Sequence, residues 1–335
     1  MKILTVLTGG TIGSKVKDNV MDVKDHICPV VELYKENSAD NVEFSTISPM
    51  NILSENVSVA DWNRLIACIN SIDTENYDGV ILTHGSDTLS FTSSLVGVCF
   101  AHINIPLVIV AADYPLDDER SNGLSNFSSA VELIKSKTVK GVFVSYGKKN
   151  DTDIYIATRL CEADRFCDKF TDFSGVPFAK CKNGELKFIE SPHNPTLEEI
   201  NIDRKPIFKK IPQLLPCVQM LMPYPSFDCD AFVIGKNTKA VLQLTYHSGT
   251  VCTQGDSSTL KILDKCKAEN VDFYLCSLKN GVDLYATTKE MVQNLSKIMY
   301  NISRESAYAK LLLAYSQNEV EIKDFLNKNI FFEIM

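Results

Sequence analysis

Ile3-Leu4-Thr5-Val6-Leu7 runs into Thr8-Gly9-Gly10-Thr11-Ile12, and Gly79-Val80-Ile81-Leu82 runs into Thr83-His84-Gly85-Ser86-Asp87-Thr88. Each is a short β-favouring apolar run that stops at glycine and hydroxyl residues, the pattern of a buried parallel strand. In open parallel sheets, ligands sit just beyond the carboxyl ends of the strands. Two such turns at one edge bring Thr/Ser oxygens and backbone N–H groups around one small molecule. That is the local chemistry of a threonine nucleophile with its own oxyanion hole. Alone, Thr-Gly-Gly-Thr also suits a plain strand-to-helix connection. No Gly-Lys-Ser/Thr follows it, so it is not a Walker loop, and it is not a dinucleotide fingerprint. The second turn favours the functional reading, because two independent turns then match one site.

Outward from these turns, strands alternate with helices. Further strands are expected at 42–47, 106–111 and 141–145. Ser58 and Asp61 have capping-box spacing, and Trp62, Leu65, Ile66 and Ile69 then recur on one face. Residues 89–103 and 124–134 carry the same periodicity. The alternation predicts an α/β fold, with a larger N-terminal parallel-sheet domain over 1–188. The proline-rich polar stretch 189–212 reads as a linker. A smaller C-terminal α/β domain over 213–335 follows, with strands near 240–246 and 272–278 and helices near 257–268, 289–300 and 303–315.

Composition narrows the function classes. With 335 residues, 45% apolar and 23% charged, the chain can bury two ordinary cores. A net charge of -8 argues against nucleic acid as the main partner. No apolar run reaches transmembrane length, and no signal-peptide pattern opens the chain, so no membrane partner and a cytoplasmic location are expected. The eleven cysteines are irregularly spaced and include no Cys-x-x-Cys. Cys161, Cys167 and Cys181 form the tightest group, and free thiols in a reducing compartment are favoured over a zinc site.

Three further segments give the two turns a family context. Asn51-Ile52-Leu53-Ser54-Glu55-Asn56 stands between them. Asp113-Tyr114-Pro115-Leu116 precedes Arg120-Ser121-Asn122-Gly123 and Asn126, and Ser303-Arg304-Glu305-Ser306-Ala307-Tyr308-Ala309-Lys310-Leu311 lies near the C-terminus. In this order the chain resembles the bacterial-type L-asparaginase/glutaminase family, and within it a diverged member of the cytoplasmic type I-like branch. The resemblance implies that Thr11 is the nucleophile and that Ser86 replaces the second catalytic threonine. It implies that Asp87 holds the α-ammonium and Ser54 the α-carboxylate of the substrate. Glu55 stands where many members carry glutamine and would add to the ammonium site, with Gly10 beside it in the binding set. It further implies a small amide substrate, a homodimer or homotetramer, and no metal or organic cofactor.

Three departures accompany the resemblance. The family's loop tyrosine, about ten residues after the nucleophile, has no counterpart in 15–21. Glu162 occupies the position of a catalytic lysine, either as a protonated donor near Ser86 or paired with Arg159. Asn122 replaces an acidic residue. His84 reads as a turn residue supporting the site, not as a base. His247-Ser248-Gly249-Thr250 reads as structural or as a subunit contact, Asp117-Asp118-Glu119 as a solvated loop, and Glu290 as a contribution from a neighbouring subunit. Asparagine hydrolysis is the favoured activity. Hydrolysis of glutamine or another small amide, and silent amino-acid binding, remain open as alternatives. An ammonia-supplying amidotransferase component is disfavoured by the absence of a domain before the opening strand.

Overall fold

The computed structural model describes the whole chain except residues 14, 18–19, 23–27 and 295, with the backbone alone for 13, 15–17 and 20–22. Two compact units form, Met1–Ile211 with Ile330–Phe332, and Pro212–Asn329 with Glu333–Met335. The chain is mixed α/β in both.

The first unit is built on an eight-stranded sheet. Five of its strands are parallel, in the spatial order Glu43–Ile47, Lys2–Leu7, Gly79–Thr83, Pro106–Val110 and Gly141–Lys148. Gly79–Thr83 and Pro106–Val110 are buried at every residue, as their unbroken apolar runs require of parallel strands covered on both faces. Three more strands, Asp151–Ile156, Ala179–Lys182 and Glu185–Phe188, extend the sheet antiparallel and were not foreseen. Their connections explain the change of direction. Asn150 has φ +62° in the turn after Lys148, and Asn183 and Gly184 have φ +50° and +81°. Two-residue turns with positive φ join antiparallel neighbours only.

The Val59–Asn70 helix starts as its sequence predicts: Ser58 N–H donates to Asp61 Oδ2 at 3.0 Å. Trp62, Leu65, Ile66 and Ile69 are buried, and the Trp62 indole donates to Thr92 Oγ1 at 2.9 Å. The stretch expected as a linker packs into the first unit as far as Ile211. Ile200 is buried, Asn201 Nδ2 donates to the Thr138 carbonyl at 2.7 Å, and Asn194 Nδ2 to the Pro177 carbonyl at 3.0 Å. Proline and polar content here reflects a hydrogen-bonded strap, not a free tether.

The second unit holds a four-stranded parallel sheet in the order Val218–Leu221, Ala240–Leu244, Asp272–Leu278 and Lys297–Tyr300. The helix expected over 289–300 is instead a helix at Ala286–Gln293 followed by the Lys297–Tyr300 strand. Asn294 caps the helix, and Lys-Ile-Met-Tyr then pairs with Asp272–Leu278, so tertiary pairing overrides a continuous helical period. The Arg304–Tyr315 helix is capped by Ser303 Oγ, which accepts from Ser306 N–H at 3.1 Å. Its Lys310 is fully buried and paired with the fully buried Glu333 at 2.7 Å. Among the described residues, no helix is long and apolar enough to cross a membrane.

Candidate active site

Lys2–Leu7 pairs with Glu43–Ile47 on one side and Gly79–Thr83 on the other. The chain leaves Lys2–Leu7 toward one flank and returns on the opposite one. That makes the carboxyl end between Lys2–Leu7 and Gly79–Thr83 a topological switch point, where diverging connections open a crevice. The register sets Leu7 opposite Thr83, so both turns start at the same level.

Three loops meet there. Thr8 Oγ1, buried, donates to the Thr83 carbonyl at 2.6 Å and ties the first turn to the second. Ile52 N–H donates to the Thr8 carbonyl at 3.0 Å, and Gly10 N–H to the Ile52 carbonyl at 3.2 Å, which ties in the third. Gly9 and Gly10 adopt φ +103° and +76°, which favour glycine. Close approach excludes a side chain as well: a Cβ on Gly10 would stand 2.5 Å from Gly85 N, and one on Gly9 2.6 Å from Ile52 N. A Cβ on Gly85 would overlap Ser54 Oγ. Thr11 and Ser86 therefore each follow a glycine at a point of backbone-to-backbone contact.

Ser54 is buried, and Glu55 beside it is exposed. Ser54 Oγ donates to Asp87 Oδ2 at 3.2 Å, and Asp87 N–H donates back to Ser54 Oγ at 3.2 Å. Thr88 Oγ1 donates to the Ser54 carbonyl at 2.9 Å. Asp87 is exposed, Ser86 and Thr11 are partly buried, and Gly10 is buried. The structure thus gathers Gly10, Thr11, Ser54, Ser86 and Asp87 at one edge, with Glu55 next to them in the chain. The Ser54 hydroxyl gives its one proton to Asp87 here, and turning that proton toward a ligand's anion would free the carboxylate for a cation. That suits a ligand bearing an anion and a cation on neighbouring atoms.

His84 is buried, and its Nδ1 lies 2.7 Å from the Gly85 carbonyl. A carbonyl only accepts, so Nδ1 carries the proton. Burial holds the imidazole pKa below its ordinary value, and the bond to Gly85 opposes this in part. A neutral, internally bonded ring fits the supporting role expected for His84.

A polar brace supports the next loops. Asp113 Oδ1 accepts from Tyr114 N–H at 2.8 Å and Asn122 N–H at 3.0 Å. Asn122 Oδ1 accepts from Asp113 N–H at 3.0 Å, while its Nδ2 donates to the Gly147 carbonyl at 2.7 Å. Asn126 bridges the Ala111 carbonyl and Gly147 N–H at 2.8 and 3.0 Å. Asn122 uses both ends of its amide, which an ionised acid cannot do. Sequence reasoning missed this brace, and also Thr8 and Thr88 as ties between the turns. The hydroxyls flanking each glycine were the available signal.

Glu162 is exposed on the Leu160–Asp164 strand, which packs against the Leu89–Cys99 helix that follows the second turn. Arg159 does not serve as its partner. The buried guanidinium donates through Nε and Nη2 to Asp172 Oδ1 at 2.9 and 2.7 Å, and reaches the His193 carbonyl at 3.0 Å and Asn194 Oδ1 at 3.2 Å. Stretch 15–21, which lacks the family's tyrosine, lies in part outside the described residues. All eleven cysteines are free, seven of them buried. Among the described residues no group of three or more His, Cys, Asp or Glu is arranged to hold a metal ion.

An open α/β sheet with hydroxyls and a carboxylate at its switch point has the features of a small-molecule site. Residues 2–209 match the family model described as Asparaginase, N-terminal, and the chain belongs to the asparaginase family. Among curated relatives, an L-asparaginase of Thermococcus kodakarensis is 23% identical over 340 residues, covering 100% of this chain and 99% of that protein. A glutamyl-tRNA(Gln) amidotransferase component of Pyrococcus abyssi is 22% identical over 351 residues, covering 99% of this chain and 76% of that protein. Among solved structures, the thermostable L-asparaginase from Thermococcus kodakarensis superposes with a TM-score of 0.81 at 21% identity, over 100% of this chain and 99% of that one. L-asparaginase I from Vibrio cholerae gives 0.75 at 19% identity, over 100% and 99%. A probable cytoplasmic L-asparaginase from Campylobacter jejuni gives 0.75 at 20%, over 99% of each chain. At these identities the superpositions establish the fold.

Proposed function

We propose that the chain hydrolyses the side-chain amide of L-asparagine to L-aspartate and ammonia, with Thr11 as nucleophile. Thr11 Oγ attacks the amide carbon and its proton passes to the departing nitrogen, so ammonia leaves and an acyl ester forms on Thr11. Water then attacks the ester, returning the Thr11 hydroxyl and releasing aspartate. Ser86 shares proton transfer at the second turn, and Asp87 with Glu55 holds the α-ammonium. Ser54 holds the α-carboxylate, and Gly10 keeps the backbone close enough for its turn to bind the substrate. Glu162 occupies the place of the family's lysine and belongs to the proton-transfer set. Nucleophile and oxyanion donors all come from the chain, so the reaction calls on no metal or organic cofactor.

The observation that carries this reading is the Ser54–Asp87 contact of 3.2 Å beside the Gly10–Gly85 approach. An α-amino acid bears its ammonium and carboxylate on one carbon, and a donor and an anion this close match that head group. The family membership and the likeness to proteins named L-asparaginase support the amide. We further propose a cytoplasmic location, in keeping with the name of the Campylobacter jejuni protein, and a homodimer or homotetramer, as the family resemblance implies.

The likeness to the glutamyl-tRNA(Gln) amidotransferase component favours a second reading, release of ammonia from glutamine. One methylene separates the two amides, worth only about 1–3 kcal/mol in a pocket. Ammonia release by the purified chain from L-asparagine and L-glutamine decides. Faster turnover of asparagine supports the first reading and faster turnover of glutamine the second. Calorimetric binding of either without turnover leaves a silent amino-acid-binding protein.

A further inference from the structure

We propose that His84 is a positioning residue that fixes the Gly85–Ser86 peptide plane and thereby presents Ser86 and Asp87 to the substrate. The proposal rests on the hydrolase reading above and deepens it. His84 continues the Gly79–Thr83 strand, its N–H donating to the Val110 carbonyl at 2.8 Å. The backbone on the ring's N-terminal side is therefore held by the sheet. Its ring then folds forward, and Nδ1–H takes the carbonyl of the very next residue at 2.7 Å in a buried setting.

The consequence follows from peptide planarity. In a trans peptide, the C=O of one residue and the N–H of the next point in opposite directions. With the Gly85 carbonyl drawn to the buried ring, the Ser86 N–H faces away from it. No acceptor among the described residues takes that N–H. Gly85 could not hold this plane unaided, since it lacks the Cβ that restricts other residues. Close packing restrains its position, because Gly10 and Ser54 both stand within a methyl group's reach of it. Packing leaves the peptide's rotation open, and the imidazole closes it. Buried, the bond forms without competition from water, where a hydrogen bond orients most strongly.

Two substitutions separate the donor from the ring. His84→Asn keeps an N–H at the Nδ1 position and gives up the ring, whereas His84→Phe keeps the ring and gives up the donor. With the fold confirmed by thermal unfolding, His84→Phe should lower kcat about 10- to 100-fold with KM nearly unchanged, the scale of a small misplacement of reacting groups. His84→Asn should stay within about threefold of the wild-type kcat. In ¹⁵N spectra the wild-type ring should show the proton on Nδ1. A Phe variant as fast as wild type, an Asn variant as slow as Phe, or a proton on Nε2 overturns the proposal. The two readings fail separately. No ammonia from the wild type overturns the hydrolase reading, whereas ammonia from wild type and His84→Phe alike overturns the positioning role alone.

Discussion

At the carboxyl edge of the large sheet, Gly10 sits at φ +76° with Gly85 N 2.5 Å from where its Cβ would be. At the carboxyl edge of the small sheet, Gly249 sits at φ +78°, and the nearest such atom is Leu278 Cγ at 3.6 Å. Both edges end parallel strands, and both carry hydroxyls, glycine and histidine. The first is closed by hydrogen bonds between three loops, two of them joined backbone to backbone and the third tied in through the Thr8, Ser54 and Thr88 hydroxyls. The second opens on a cavity of about 470 Å³ whose lining includes His247, Ser248, Ser277, Tyr285 and Thr288, with Thr288 Oγ1 donating to the Gly249 carbonyl at 2.7 Å. A lined cavity alone does not make a reaction site. Preorganisation is why the proposed reaction is placed at the first, because a nucleophile and its oxyanion donors need fixed geometry more than space. Topology therefore offers an edge, and loop interlocking turns one edge into a site.

The largest expected effect is chemical. Thr11→Ala should reduce ammonia release by at least about 10³-fold with little change in thermal unfolding, as loss of a nucleophile does. Retained turnover would move the chemistry elsewhere. Next comes recognition. N-acetyl-asparagine lacks the α-ammonium and should lose about 10²-fold or more in kcat/KM, because Asp87 and Glu55 then have no cation to hold and the acetyl group takes up the ammonium's place. Equal turnover of the acetylated amide would remove Asp87 and Glu55 from ammonium recognition.

The two glycines test the comparison itself. Both sit at nearly the same φ, so Ala at either position pays the left-handed penalty of about 1–2 kcal/mol. Gly10→Ala adds a backbone clash and should lower the unfolding free energy by roughly 3 kcal/mol or more, whereas Gly249→Ala should stay near about 1 kcal/mol. Equal losses in urea denaturation would show that the first edge is no more tightly interlocked than the second. The smallest effect concerns the brace. Asn122→Asp removes the donor to the Gly147 carbonyl and should cost about 1–2 kcal/mol, the scale of one buried unsatisfied acceptor. An unchanged urea midpoint would make that amide dispensable.

Much of the large sheet was legible because each strand is one unbroken apolar run, and the cap at Ser58 is local chemistry. The antiparallel extension was also written in the sequence, in Asn183-Gly184, a turn signal passed over because its strands are short and half-polar. Lys297–Tyr300 was not legible. Four residues carry no period, and only pairing with Asp272–Leu278 makes them a strand. That Thr11, Ser54, Ser86 and Asp87 gather at one edge could be read from two turns and a resemblance. The brace through Asn122 and Asn126 could not. Its partners are backbone groups 15 to 25 residues away, apart from the bond between Asn122 Oδ1 and Asp113 N–H nearby. Glu162 shows the limit of position-matching: its neighbour Arg159 looked a ready partner, and Asp172 holds it instead.

Acid quenching during turnover of L-asparagine, followed by mass spectrometry of the peptide spanning Thr8 to Ile12, tests the threonine mechanism at its covalent step. An aspartyl ester on Thr11, absent from the Thr11→Ala protein, is the expected result. Turnover that leaves no adduct on that peptide, or places one on another side chain, would contradict it.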